Sequence, residues 1–66
     1  MDEVKLSIEA IRVMLNISRA EMAERIGVNL DRYNRLASGE SKMLATELYK
    51  LHEISGVPFE NIKPTA

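Results

Sequence analysis

The sequence predicts an all-α fold of five short helices, and three observations carry that prediction. Apolar residues recur three and four positions apart, while the every-second-residue alternation of a half-buried strand is absent. Ser18 and Asn29 are good N-caps standing just ahead of such stretches. Gly27, Gly39 and Gly56 stand just behind them, where a helix ends most easily on a left-handed residue. A chain of 66 residues has room for one small domain, expected to span residues 1–66.

The first helix is expected from Val4. It places Val4, Leu6, Ile8, Ile11 and Leu15 on one stripe and turns Lys5, Glu9 and Arg12 away. Asn16 weakens its end. Ser18 and Glu21 then form a capping box: the hydroxyl accepts from the Glu21 amide while the carboxylate reaches back to the cap. Ile17, just before the cap, is placed to staple onto Met22. This second helix runs to about Ile26. A third, roughly 30–37, follows Asn29, with Asp31 in its first turn and Tyr33 and Leu36 inward. Ser38 and Gly39 close it, and Glu40, Ser41 and Lys42 read as a polar connector. The fourth, about 44–55, carries Leu44, Leu48, Leu51 and Ile54 on one side. Pro58 suits the first turn of a short fifth helix, 58–62, and residues 63–66 are expected to fray.

Composition narrows the function. An apolar fraction of 45% with 29% charged residues is that of a soluble globular chain. A net charge of −1 argues against a strong, indiscriminate polyanion binder. With no Cys there is no disulfide, thiolate metal site or Cys nucleophile, and the lone His52 has no partners at ligand spacing. No apolar run reaches the ~18 residues of a membrane span, and the acidic Asp2 and Glu3 do not open a signal peptide. The expectation is a cytoplasmic protein without a metal or cofactor. Glu47 and Glu53, six apart, project to different sides of a helix and make no acid/base pair. A domain this small also has little rigidity with which to preorganise a catalytic pocket. An enzyme is not expected; a binding module is.

Between residues 18 and 38 the pattern has the form of two helices meeting at a tight glycine turn. Ala23 is small enough for close approach, Met22 and Ile26 flank it, and Gly27 makes the turn. Val28 plugs that turn, while Tyr33 and Leu36 anchor the following helix. The stretch from Ile17 to Val28 resembles the second helix and turn of the Cro/repressor-type (Xre-like) helix-turn-helix domains of phages and bacteria. Gly39, the polar connector and the run of Leu48, Tyr49, Lys50, Leu51, Ile54, Gly56 and Val57 resemble that family's closing segment. As a whole the chain resembles short regulators of temperate-phage lysis–lysogeny switches, of the Cro-like and modulator-of-repression (antirepressor) types.

The resemblance implies that the third helix lies in the major groove of operator DNA, with its N-terminal residues facing base edges. Outward positions are then Asn29, Leu30, Asp31, Arg32, Asn34 and Arg35. Arg32 matches a guanine edge and Asn34 an adenine edge, each bidentately. Arg35, Arg19, Ser38 and Lys42 suit phosphates, which position without reading sequence. Arg19 departs from the Gln often found there in the family. Leu30 puts a large apolar group where small polar residues are usual, and Asp31 repels phosphates. Between residues 19 and 42, Arg19, Arg25, Arg32, Arg35 and Lys42 stand against Glu21, Glu24, Asp31 and Glu40, five against four, a net of +1. Few phosphates would be neutralised, so affinity at ordinary salt would be modest.

That charge pattern opens a second reading, in which the same surface covers the DNA-reading helix of a cognate repressor. Asp31, Glu24 and Glu40 would then find basic partners, and Leu30, Met43 and Leu44 would supply the apolar centre. Plainer roles are expected elsewhere. Met14, Met22 and Met43 fill gaps, with Met43 the one nearest the surface. Tyr33 anchors the core with its hydroxyl at the edge, Tyr49 is either surface filler or interface, and His52 is partly buried packing. Useful specificity normally needs two copies on a palindrome. Val57, Phe59 and Ile62 would either make a homodimer or close the monomer's own core.

Overall fold

Among the described residues, four α-helices and one 3₁₀ turn are built where backbone caps permit them. A computed structural model describes residues 5–65: α1 (Ile8–Leu15), α2 (Arg19–Ile26), α3 (Leu30–Ser38) and α4 (Ala45–Ser55), then the 3₁₀ turn Phe59–Asn61. Ser7, Ser18 and Asn29 each turn a side-chain oxygen onto a backbone N–H of the first helical turn, those of Ala10, Glu21 and Arg32. The Ser18 half of the expected capping box is thereby present. The α2–α3 turn is three residues long. Gly27, at φ +82°, closes α2 with its own N–H on the Glu24 carbonyl and the Val28 N–H on the Ala23 carbonyl. This is the double bond of a Schellman motif, and it needs the left-handed residue. Asn16 does the same for α1 at φ +58°, the one non-glycine residue at positive φ among the described residues.

The core is contiguous. Ile8 and Ile11 of α1, Met22, Ala23 and Ile26 of α2, and Tyr33 and Leu36 of α3 meet Leu51, Val57 and Ile62. Val28 packs against this cluster, so every position expected to support the turn does so. Burying each large aliphatic side chain contributes about 1.5–3 kcal/mol before chain entropy is counted.

Several expectations change. The fifth helix is only the 3₁₀ turn, because Pro58 has an extended ψ of 147° and so stands outside the helical backbone that begins at Phe59. Val4 lies outside the described residues, and Leu6 is extended rather than helical. It pairs in parallel with Ile62, its N–H donating to the Asn61 carbonyl at 2.7 Å and its carbonyl accepting from Lys63 at 2.8 Å. The tail is consequently tied down through Pro64, whose carbonyl accepts from the Met43 N–H. Met43 is buried and Met14 exposed, the reverse of the expectation, since the Pro64 tie covers the connector. Leu44 caps α4 from outside the seam and is exposed. Val57 and Ile62 close the monomer's core, while Phe59 stacks on the outer side with His52, ring centroids 4.5 Å apart.

Candidate nucleic-acid interface

The amphipathic split of α3 decides what the helix can touch. Tyr33 and Leu36 are sealed in the core, and the opposite side presents Leu30, Asp31, Asn34, Arg35 and Ser38 as one exposed ridge, with Asn29 at its start. Arg19 at the head of α2 and Lys42 beyond α3 are exposed at its margins. Arg35 pairs with Asp31 one turn back at 3.0 Å, both largely in water. Such exposed pairs exchange easily for another partner. The Ser38 hydroxyl is used at the helix end, donating to the Arg35 carbonyl.

Arg32 is not on this ridge. Its Nε and Nη2 donate to the two oxygens of Glu47 at 3.0 Å each, and Nη2 also donates to the Lys42 carbonyl at 3.2 Å. The guanidinium is therefore spent on bracing α3 against the start of α4, and a bidentate guanine contact would require breaking it. The Glu47 side chain retains 6% exposure. Burial pushes its carboxyl upward, but the Arg32 guanidinium and the Leu44 N–H outweigh that and hold it below the ordinary value. Sequence reasoning missed Glu47, whose signal was its place in the first turn of α4, where a carboxylate reaches back to a free N–H.

Glu9 was also expected to face water, and instead it joins three helices. One oxygen accepts from Arg12 Nε and from the Tyr33 hydroxyl, both at 2.6 Å. The other accepts from Arg19 Nε at 3.0 Å and Nη2 at 2.6 Å. Partial burial raises its pKa, yet these bonds prevail and bring it to about 2. Tyr33 is shifted well upward, first by burial and then by the adjacent carboxylate. From Glu9 the network continues outward, because Arg19 Nη1 donates to Asn34 Oδ1 at 3.0 Å. Arg19 and Asn34, assigned separate roles from sequence, are thus a linked pair.

The cationic surface is quiet. Each of the five arginines lies against a carboxylate: Arg12 and Arg19 against Glu9, Arg25 against Glu21, Arg32 against Glu47, and Arg35 against Asp31. A groove of about 510 Å³ between the end of α2 and the outer side of α4 is lined by Ile26, Ala45, Tyr49 and Lys50, away from the ridge. Among the described residues no helix is long and apolar enough to cross a membrane.

Comparison with known proteins agrees with the geometry at the level of family. Residues 8–62 match the family model described as Helix-turn-helix. No curated protein and no solved structure matches the chain. That match runs from the first residue of α1 to Ile62, one residue past the 3₁₀ turn, and takes in the Gly27 turn and the α3 ridge, so the chain belongs to the helix-turn-helix family of DNA-binding transcription regulators.

Proposed function

We propose that the protein is a regulator of the small temperate-phage switch type, which sets the outer ridge of α3 into the major groove of operator DNA. The observation that carries this reading is the unbroken exposed face from Leu30 to Ser38, held out by two buried anchors and the Gly27 turn. Asn34 faces base edges, Leu30 suits a thymine methyl, and Arg35, Arg19 and Lys42 meet phosphates. Arg32 fixes the angle of the ridge rather than reading a base. Fluorescence anisotropy against switch-region duplexes tests it. Asn34→Ala is expected to weaken specific binding by ~1–3 kcal/mol. Equal, feeble binding to unrelated duplexes would contradict it.

A second reading has its own support: the Asp31 side chain is 76% exposed beside an exposed Leu30, at the front of the helix. A phosphate surface repels that carboxylate, whereas a repressor's basic reading helix would pair with it. Antirepressor action through this ridge predicts a complex with the cognate repressor's N-terminal domain on size exclusion, lost in Asp31→Lys. Absence of a complex at micromolar concentrations removes that reading.

A further inference from the structure

The Arg19–Asn34 link sets which base Asn34 accepts. An asparagine amide has one acceptor end and one donor end, and a free one satisfies adenine by offering both. Here one lone pair of the acceptor end is taken, and the oxygen is turned toward Arg19. Arginine has donors only, so the group facing Arg19 Nη1 at 3.0 Å must be the oxygen, which fixes the amide's orientation. Glu9 holds Arg19 in place from the other side through Nε and Nη2. Glu9 is itself fastened by Arg12 and by the buried Tyr33. Three of the five guanidinium N–H groups are used in these bonds, leaving two for a phosphate. The Asn34 NH₂ is left with no hydrogen-bond partner among the described residues, on an exposed position of the ridge.

We infer that Arg19 is a specificity-determining residue acting through Asn34. By holding the oxygen it leaves the Asn34 NH₂ as the group free to lead into the groove, which favours the adjacent O6 and N7 acceptors of guanine over adenine. Adenine presents an N6 donor beside N7, and to accept from it the Asn34 oxygen must offer its second lone pair while turned toward Arg19, or break the Arg19 bond; guanine's two acceptors meet the free NH₂ without either change. The sequence alone suggested adenine; the Glu9–Arg19–Asn34 chain reverses the preference. This inference rests on the proposed docking of α3 in the major groove.

The test is enrichment of duplexes from a random-sequence pool by the full chain and by three variants: Arg19→Met, Asn34→Ala and the double variant. Arg19 and Asn34 are exposed, and unchanged helical circular dichroism establishes that the variants fold. The wild type is expected to enrich guanine at one position that Asn34→Ala makes indifferent. Arg19→Met is expected to shift that position toward adenine by at least about fivefold. In the Asn34→Ala background the Arg19→Met change is expected to alter no base preference. Retention of guanine by Arg19→Met, or a shift that persists without Asn34, overturns the inference while leaving DNA reading intact. Failure of the wild type to enrich any sequence overturns the docking reading and the inference with it.

Discussion

Two carboxylates, Glu9 and Glu47, are drawn partly or almost wholly out of water and kept ionised by guanidinium partners. Removing one partner leaves a charge without compensation, which costs more than the intact pair contributes. Arg32→Met is expected to destabilise the fold by about 2–3 kcal/mol in urea denaturation, toward the low end because Arg32 is itself 26% exposed. Replacing both, as Arg32→Met with Glu47→Leu, is expected to restore most of that loss. Glu9 adds a pH signature. Its folded pKa of about 2 lies below the ordinary 4.5, so its contribution is complete above about 4.5 and is lost as pH falls toward 2. Glu9→Gln is expected to lower stability at neutral pH, with the gap to wild type closing across that window in acid denaturation followed by circular dichroism. An unchanged gap at pH 2 contradicts the assignment. Neither carboxylate was legible as a structural centre in the sequence. Periodicity reports which positions are apolar, and it is silent on a charged residue whose partners lie 15 or 24 positions away.

At the scale of elements, local chemistry decides most boundaries. Ser18, Asn29, Gly27 and Gly39 act where their side chains or their freedom at positive φ place them, so α2 and α3 were readable to within about a residue. Asn29→Ala removes the acceptor for the Arg32 N–H at 2.8 Å and is expected to cost about 1 kcal/mol. Gly27→Ala places a methyl in open space, so its cost is the left-handed backbone alone, about 1–2 kcal/mol. Thermal melts of the two variants check both values, and a much larger Gly27→Ala loss would show that the turn is crowded. The ends of the chain were less legible. Whether Leu6 extends α1 or pairs with Ile62 depends on a segment more than fifty residues away, and no local signal reports that. The same applies to the 3₁₀ turn, where Pro58 permits a helix start that the Leu6 pairing then cuts short.

For the molecule as a whole, the pairing of every arginine limits how it engages DNA. With Arg19, Arg35 and Lys42 as the cations at the ridge, about three phosphates are neutralised. A plot of log K against log salt is then expected to have a slope no steeper than about −3. A slope of −6 or beyond, from titrations at several salt concentrations, would mean that Arg25 or other cations leave their carboxylates to join the contact. The general arrangement was legible because the core of a small helical protein follows helical spacing, and the turn follows one glycine. Its contact chemistry was not, because Arg32 and Asn34 look free in sequence and are committed by neighbours from α4 and α2. Docking through the outer side of α3 is decided by backbone amide shift mapping as an enriched duplex is added. The largest changes are expected at Arg19 and from Asn29 to Ser38. Changes concentrated instead on Tyr49, Phe59 and the outer side of α4 would contradict it.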